Sequence, residues 1–131
     1  MGVREQLEAT NLLEIGKHVI ADIRIDKNSP YLNNVNLVRE LLYEAAKLAN
    51  IKILDEKYVV FENTGGISMI LFIAESHISI HTWPEWGYAA IDIFTCGEKT
   101  NPWEAYMYII RKLKPKYINV IEIKRGFSVS E

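Results

Sequence analysis

Between Glu75 and Cys96 the chain places Glu75, Ser76, His77, His81, Glu85, Asp92 and Cys96 within 22 residues, with two of its three histidines and its one cysteine among them. These residue types can do three kinds of chemistry. A cysteine beside a histidine makes a thiolate–imidazole pair, with Cys96 and His81 as candidates; a buried cysteine acting as a small apolar residue is the commoner arrangement. A serine beside a histidine makes a hydrolase nucleophile, but no G-x-S-x-G elbow surrounds Ser76. His77 and His81 are four apart on one face of a strand with Glu75 and Glu85 near, which are the ligand types of a metal site; an ordinary pair of polar-face histidines fits the same spacing. Thr64-Gly65-Gly66 lacks the following Lys-Ser/Thr and helix of a phosphate-binding loop and reads as a turn. Spacing alone therefore stops at a candidate active site over 75–96.

The elements that must position these residues follow from periodicity. His18 to Ile25 alternates as a strand, Ile51 to Phe61 reads as a strand interrupted near Asp55-Glu56-Lys57, and Ile67 to Ala74 is apolar on both faces, as a central strand is. His77 to Thr82 sets Ile78, Ile80 and Thr82 against His77, Ser79 and His81, and Tyr88 to Thr95 alternates in the same way. Trp83 to Gly87 is a turn, because Pro84 cannot donate to a ladder. Leu37 to Ala49 predicts an amphipathic helix with Leu37, Leu41, Leu42, Ala45, Leu48 and Ala49 inward. Asn101-Pro102-Trp103-Glu104 is a helix start with a capping asparagine and a capping-box glutamate, and Trp103, Tyr106, Met107, Ile110 and Leu113 form its apolar stripe as far as Pro115. Tyr117 to Ile123 is a last strand, and residues 1–15 read as a charged extension with one or two helical turns.

The order β-α-β-β-β-β-α-β predicts the α+β class: a two-layer α/β sandwich, with a mostly antiparallel sheet and both helices on one face. Apolar residues on both strand faces require a cover for the other side, and a second protomer's sheet is the simplest one.

The 131 residues form a single domain, 1–131, and 49% hydrophobic against 24% charged residues is the balance of a globular chain. The net charge of −2 carries no basic excess for nucleic acid, and the basic run from Arg111 to Arg125 reads as a solvated helix face and tail. No apolar run approaches the roughly 20 residues of a membrane helix. One cysteine excludes an internal disulfide. Met1 to Gln6 has neither a signal-type apolar run nor the Ser/Thr of a myristoylation signal, so the expectation is a cytoplasmic protein.

The literal string goes further than the spacing. Glu75-Ser76-His77-Ile78-Ser79-Ile80-His81-Thr82-Trp83-Pro84-Glu85, followed by Gly87-Tyr88-Ala89-Ala90-Ile91-Asp92-Ile93-Phe94-Thr95-Cys96-Gly97, closely resembles the prokaryotic S-adenosylmethionine decarboxylases. Gly16-Lys17-His18, Gly66-Ile67-Ser68 and Asn101-Pro102-Trp103-Glu104-Ala105 extend the likeness over roughly residues 16–126.

The resemblance implies a proenzyme that cuts itself between Glu75 and Ser76, leaving chains 1–75 and 76–131. Ser76 becomes a pyruvoyl group, the cofactor, which forms a Schiff base with the substrate amine and accepts electrons as CO₂ leaves. By the same resemblance His81 is the processing base, Ser68 assists processing, Cys96 is the proton donor to the substrate's α-carbon, and Glu85 binds the ribose hydroxyls. No metal is implied. S-adenosylmethionine is the small-molecule partner, and two αβ pairs assemble as (αβ)₂ with sites at the protomer interface.

Ser76 and His81, five apart, would face opposite sides of a regular strand, so a bulge or strained turn is expected near Glu75. The sequence departs from the family before the turn. Many relatives carry a Phe followed by Pro-x-Gly for adenine stacking, whereas Phe61-Glu62-Asn63-Thr64-Gly65-Gly66 sets Phe61 one residue out of register. Some archaeal relatives decarboxylate arginine instead, and Glu62 is then the candidate partner for a guanidinium. A metal-binding enzyme and a non-catalytic homologue are the more distant alternatives.

Overall fold

The computed structural model describes residues 12–128, and the side chains of 13–127. Along the chain run β1 (Leu12–Arg24), α1 (Val35–Leu48), β2 (Ile53–Val60), β3 (Ile67–Ile73), β4 (Ser76–Trp83), β5 (Tyr88–Cys96), α2 (Pro102–Leu113) and β6 (Tyr117–Ser128). The six strands make one sheet in the order β2-β3-β4-β5-β1-β6, and every neighbouring pair is antiparallel.

Strict alternation builds the sheet's inner face. Ala89, Ile91, Ile93 and Thr95 of β5 are buried while Tyr88, Ala90, Asp92, Phe94 and Cys96 take the other side. Val19, Ala21 and Ile23 of β1, Ile67, Met69, Leu71 and Ile73 of β3, and Ile78 and Ile80 of β4 join the same core. The helices close it with Val38, Leu41, Leu42, Ala45 and Ala46 of α1 and Ala105, Tyr106, Ile109 and Leu113 of α2. Each large side chain buried there contributes about 1.5–3 kcal/mol.

One buried polar group ties β3, β4 and the loop before α1 together. The Thr82 hydroxyl donates to the Leu32 carbonyl at 2.6 Å and accepts from the Ile67 N–H at 2.8 Å. Thr82→Val keeps the shape and strands both partners, so we expect a loss of about 1–3 kcal/mol in denaturant unfolding. An unchanged midpoint would show that water reaches these groups.

Several boundaries and faces differ from expectation. Residues 12–15 continue β1 rather than forming helix, because they pair with the far end of β6, which runs to Ser128; the rest of the expected extension lies outside the described residues. The irregularity in β2 falls at Leu54, where the register shifts between Ile53 and Asp55, and pairing is continuous through 55–57. Leu48 and Met107 are exposed, while Val38, Ala46, Ala105 and Ile109 are buried, because each helix packs on its neighbour as well as on the sheet. Asn101 caps α2 by accepting from Trp103 N–H, and Glu104 takes part through its backbone N–H to the Asn101 carbonyl rather than through a capping box. Among the described residues no helix is long and apolar enough to cross a membrane.

The other face of the sheet carries Ser68, His77, His81 and Cys96, whereas Ser76 falls on the core-facing side at the start of β4. The face away from the helices also leaves Val59, Phe72, Ile121 and Ile123 exposed.

Candidate active site

β3 and β4 are joined by only Ala74 and Glu75, since Ile73 pairs with Ser76. Glu75 has φ +67°, a left-handed conformation that costs a residue with a side chain on the order of 1 kcal/mol or more. The expected break is therefore the turn itself, and β4 pairs regularly with β3 from Ser76 to His81.

Next to this peptide the Ser76 hydroxyl is buried with no hydrogen-bond partner among the described residues. Leaving such a group unpaired costs about 1–3 kcal/mol. Pairing of His77 with Phe94 carries Cys96 opposite Glu75, and the Cys96 thiol donates to the Glu75 carbonyl across 3.7 Å. Burial, and then the Glu75 carboxylate, push the Cys96 thiol above its ordinary range. It is a protonated acid at neutral pH. Gly16 lets β1 approach here, because a Cβ would lie 2.3 Å from the Thr95 carbonyl oxygen. Glu75, Ser76 and Cys96 thus meet at one end of the sheet.

The other candidates gather at the opposite end. Ser68 pairs with His81, and its hydroxyl lies 2.7 Å from His81 Nδ1. Trp83 lies 6.3 Å from the His81 ring and stacks on Tyr88 at 4.9 Å between centroids. Tyr88 donates to Asp22, and burial together with that carboxylate pushes its hydroxyl up to about 12. Glu85 is exposed in the Pro84–Trp86 turn. Phe61 is exposed where β2 turns into β3, with its N–H on the Gly66 carbonyl at 2.8 Å.

Five residues of strand at about 3.3 Å each put His81 roughly 17 Å from Ser76, on the opposite face of β4. One chain therefore does not bring His81 to its own Glu75–Ser76 peptide.

The metal pairing of His77 with His81 does not form, because four residues of extended strand hold the rings roughly 13 Å apart. His77 instead lies with His18 and Asp92, their ligand atoms within 4.8 Å of one another. Arg125 donates to His18 Nδ1 at 3.0 Å, which leaves Nε2 to donate to Asp92 at 3.4 Å. Both His18 nitrogens are engaged, so Arg125, His18 and Asp92 form a hydrogen-bond network, with the His77 ring edge-on to His18. Periodicity did not single out the Arg125–His18–Asp92 and Trp83–Tyr88–Asp22 contacts as parts of a site; the one available signal was polar residues at alternate positions of β1 and β5.

Comparison with known proteins decides what family carries this geometry. The family model described as S-adenosylmethionine decarboxylase matches residues 17–126. The chain belongs to the S-adenosylmethionine decarboxylase family. It is 42% identical over 112 residues to the S-adenosylmethionine decarboxylase proenzyme of Acetivibrio thermocellus, covering 86% of this chain and 89% of that one. It is 44% identical over 130 residues to the arginine decarboxylase proenzyme of Hyperthermus butylicus, covering 95% and 90%. The crystal structure of the adenosylmethionine decarboxylase from Aquifex aeolicus superposes with a TM-score of 0.80 at 38% identity, covering 90% of this chain and 96% of that one.

Proposed function

We propose that this chain is a self-processing, pyruvoyl-dependent decarboxylase that converts S-adenosylmethionine to decarboxylated S-adenosylmethionine and CO₂, the product serving as aminopropyl donor for spermidine synthesis. The observation that carries the reading is the Glu75–Ser76 peptide: a left-handed Glu75, an unpaired buried Ser76 hydroxyl and a thiol on the Glu75 carbonyl.

In processing, Ser76 Oγ attacks the Glu75 carbonyl carbon and the C–N bond breaks, turning the amide into an ester. The shift relaxes the backbone at Glu75, and the Cys96 S–H meets the charge developing on the carbonyl oxygen. A base then takes the Ser76 α-proton, the ester leaves as the Glu75 carboxylate, and water releases ammonia from the remaining dehydroalanine. His81, oriented by Ser68, is that base. The pyruvoyl group so formed supplies a carbonyl that captures the substrate amine and draws off the electron pair left by CO₂. Glu85 holds the ribose hydroxyls. Phe61 and the Trp83–Tyr88 stack offer rings for the adenine. Cys96 returns the proton to the α-carbon.

The roughly 17 Å between Ser76 and His81 supports a site shared between two chains. The open sheet faces pack together as an (αβ)₂ dimer with strands reversed, so one protomer's Ser76 end meets its partner's His81 end. The exposed Val59, Phe72, Ile121 and Ile123 suit that burial.

Intact mass tests the processing: we expect chains 1–75 and 76–131, the second lighter by one ammonia than its sequence. A single uncut chain after prolonged incubation overturns the reading. Release of CO₂ from carboxyl-labelled S-adenosylmethionine against labelled arginine tests the substrate. The likeness to the Hyperthermus butylicus relative favours arginine as the second reading, with exposed Glu62 as the guanidinium partner.

A further inference from the structure

β1 and β6 run on beyond the rest of the sheet. β5 pairs with β1 only from Gly16, opposite Cys96, whereas β6 pairs with β1 as far as Leu12. Residues 12–15 and 126–128 therefore form a two-stranded arm at the Cys96 end. The register shifts between Glu14 and Gly16, and a bulge of this kind bends the strand that carries it. Gly126 lets the two strands close, since a Cβ there would collide with the Leu13 carbonyl oxygen. Leu13 pairs with Phe127, so both stand on one face, and they are 46% and 54% exposed. Phe127 is two residues from Arg125, which donates to His18 on the open face of the sheet. The apolar side of the arm therefore faces the same way as the open face.

At the opposite end of the sheet the open face has a hollow of about 500 Å³. Asp22, Arg24, Tyr88 and Tyr117 line it from that face, where Arg24 pairs with Tyr88 on one side and with Tyr117 on the other. Lys27 and Trp86 complete the lining. Trp86 and Tyr117 are 60% and 62% exposed, unusually bare for large rings. One face thus carries an apolar arm at one end and a hollow with bare rings at the other, and exposed apolar surface of this kind marks a place of association.

The reversed dimer brings the two ends together. Ser76 opposite the partner's His81 puts the two-fold axis between Ile78 and Ser79 of β4. The ladders carry that axis between Ile93 and Asp92 of β5 and between Val19 and Ile20 of β1, and it crosses β6 between Ile121 and Glu122. Phe127 then falls within one strand residue, about 3.3 Å, of the level of the partner's Tyr117. The two-fold repeats the contact, so each arm meets the other chain's hollow. We propose that the arm of one protomer, through Leu13 and Phe127, covers the hollow of its partner between Trp86 and Tyr117. Tyr88 lines that hollow and stacks on Trp83, so the arm closes the adenine end of the substrate pocket against water. The arm and Ser76 lie at the same end of the sheet, so the arm over a site belongs to the protomer whose Ser76 serves that site. Phe127 is thus a positioning residue. This inference rests on the face-to-face dimer of the proposed function and adds to it the partner segment that completes the pocket.

Crosslinking tests the contact. Full chains without the native thiol (Cys96→Ser) are made with either Phe127→Cys or Tyr117→Cys and combined as mixed dimers. Facing sheets lie about 10 Å apart, so a short bismaleimide should link the mixed pair. Either variant alone should stay unlinked, because its two cysteines lie about 30 Å or more apart along the strand. Turnover tests the role. A mixed dimer of Ser76→Ala and His81→Ala chains has one working site, served by Ser76 of the His81→Ala chain. Phe127→Ala on that chain should raise KM for S-adenosylmethionine about tenfold, the worth of one stacked ring, and leave kcat unchanged. The same substitution on the Ser76→Ala chain should change nothing, a distinction that a merely structural effect would not make. Equal changes in KM from either chain, or no change from both, overturn the proposal. Cut chains in the Ser76→Ala and His81→Ala mixture, with no link between Phe127→Cys and Tyr117→Cys chains, also overturn it while leaving the decarboxylase and its packing standing. Neither cutting nor linking overturns the packing, and the arm contact with it.

Discussion

Ser76→Ala and His81→Ala chains should each remain uncut when made alone, and should produce cut chains when made together. Ser76→Ala has no hydroxyl to attack the Glu75 carbonyl. His81→Ala retains the hydroxyl but loses the base, a loss of about 10²–10⁴ in rate. The pairing of Ser68 with His81 and of Ile73 with Ser76 fixes the two groups at opposite ends of β4. A chain cannot supply both to one site, but a mixed dimer can: the His81→Ala chain brings Ser76, and the Ser76→Ala chain brings His81. The second site of that dimer lacks both groups. Mass spectrometry should therefore find cut chains only of the His81→Ala sequence, and purified mixed dimers should show about half the activity of the unaltered dimer. If mixed dimers form and nothing is cut, the reversed face-to-face packing is wrong. If His81→Ala alone is cut at the normal rate, His81 is not the base.

Much of the fold was legible because alternation is a local signal. Ile91, Ile93 and Thr95 against Asp92, Phe94 and Cys96 assign both faces of β5 without any partner. Helix faces were less legible. Leu48 and Met107 sit at apolar helical spacing, yet both are exposed and the buried stripe takes in Ala46 and Ala105 instead. Register was not legible at all. Nothing near Cys96 in the chain says that it lies opposite Glu75, and nothing near Asp22 says that Tyr88 will donate to it. The break at Glu75 was expected only from the five-residue offset of Ser76 and His81, since no Gly or Asn marks its left-handed position. The glycines Gly65 and Gly66 advertise the neighbouring hairpin instead. Residue types at 75–96 announced chemistry, and the motif named the class, but the division of the site between two sheet ends appears only when the strands are paired.

Cys96→Ala should separate the two stages of the proposed chemistry. In processing, the thiol is one weak donor on the Glu75 carbonyl at 3.7 Å. Its removal should slow cutting by about tenfold, less than the loss of a strong oxyanion donor. In decarboxylation it is the acid, and turnover by the cut enzyme should fall by about 10²–10⁴. The pH profile of the unaltered enzyme gives a second reading of the same group. The thiol is active when protonated, so activity persists below its titration point and falls as pH rises through it. Burial and the Glu75 carboxylate push that point above the ordinary thiol range, which centres near about 8.5. Cutting adds the new carboxylate at the C-terminus of Glu75, another negative charge beside the sulfur, and drives the thiol in the same direction. The alkaline limb of turnover should therefore lie above that of a free cysteine, and Glu75→Gln should move it downward because one of the two nearby negative charges is gone. Turnover that instead rises with pH through the thiol's titration would mean that Cys96 works as a thiolate. The thiolate–imidazole alternative would then replace the proton-donor role, with His81 supplied by the partner.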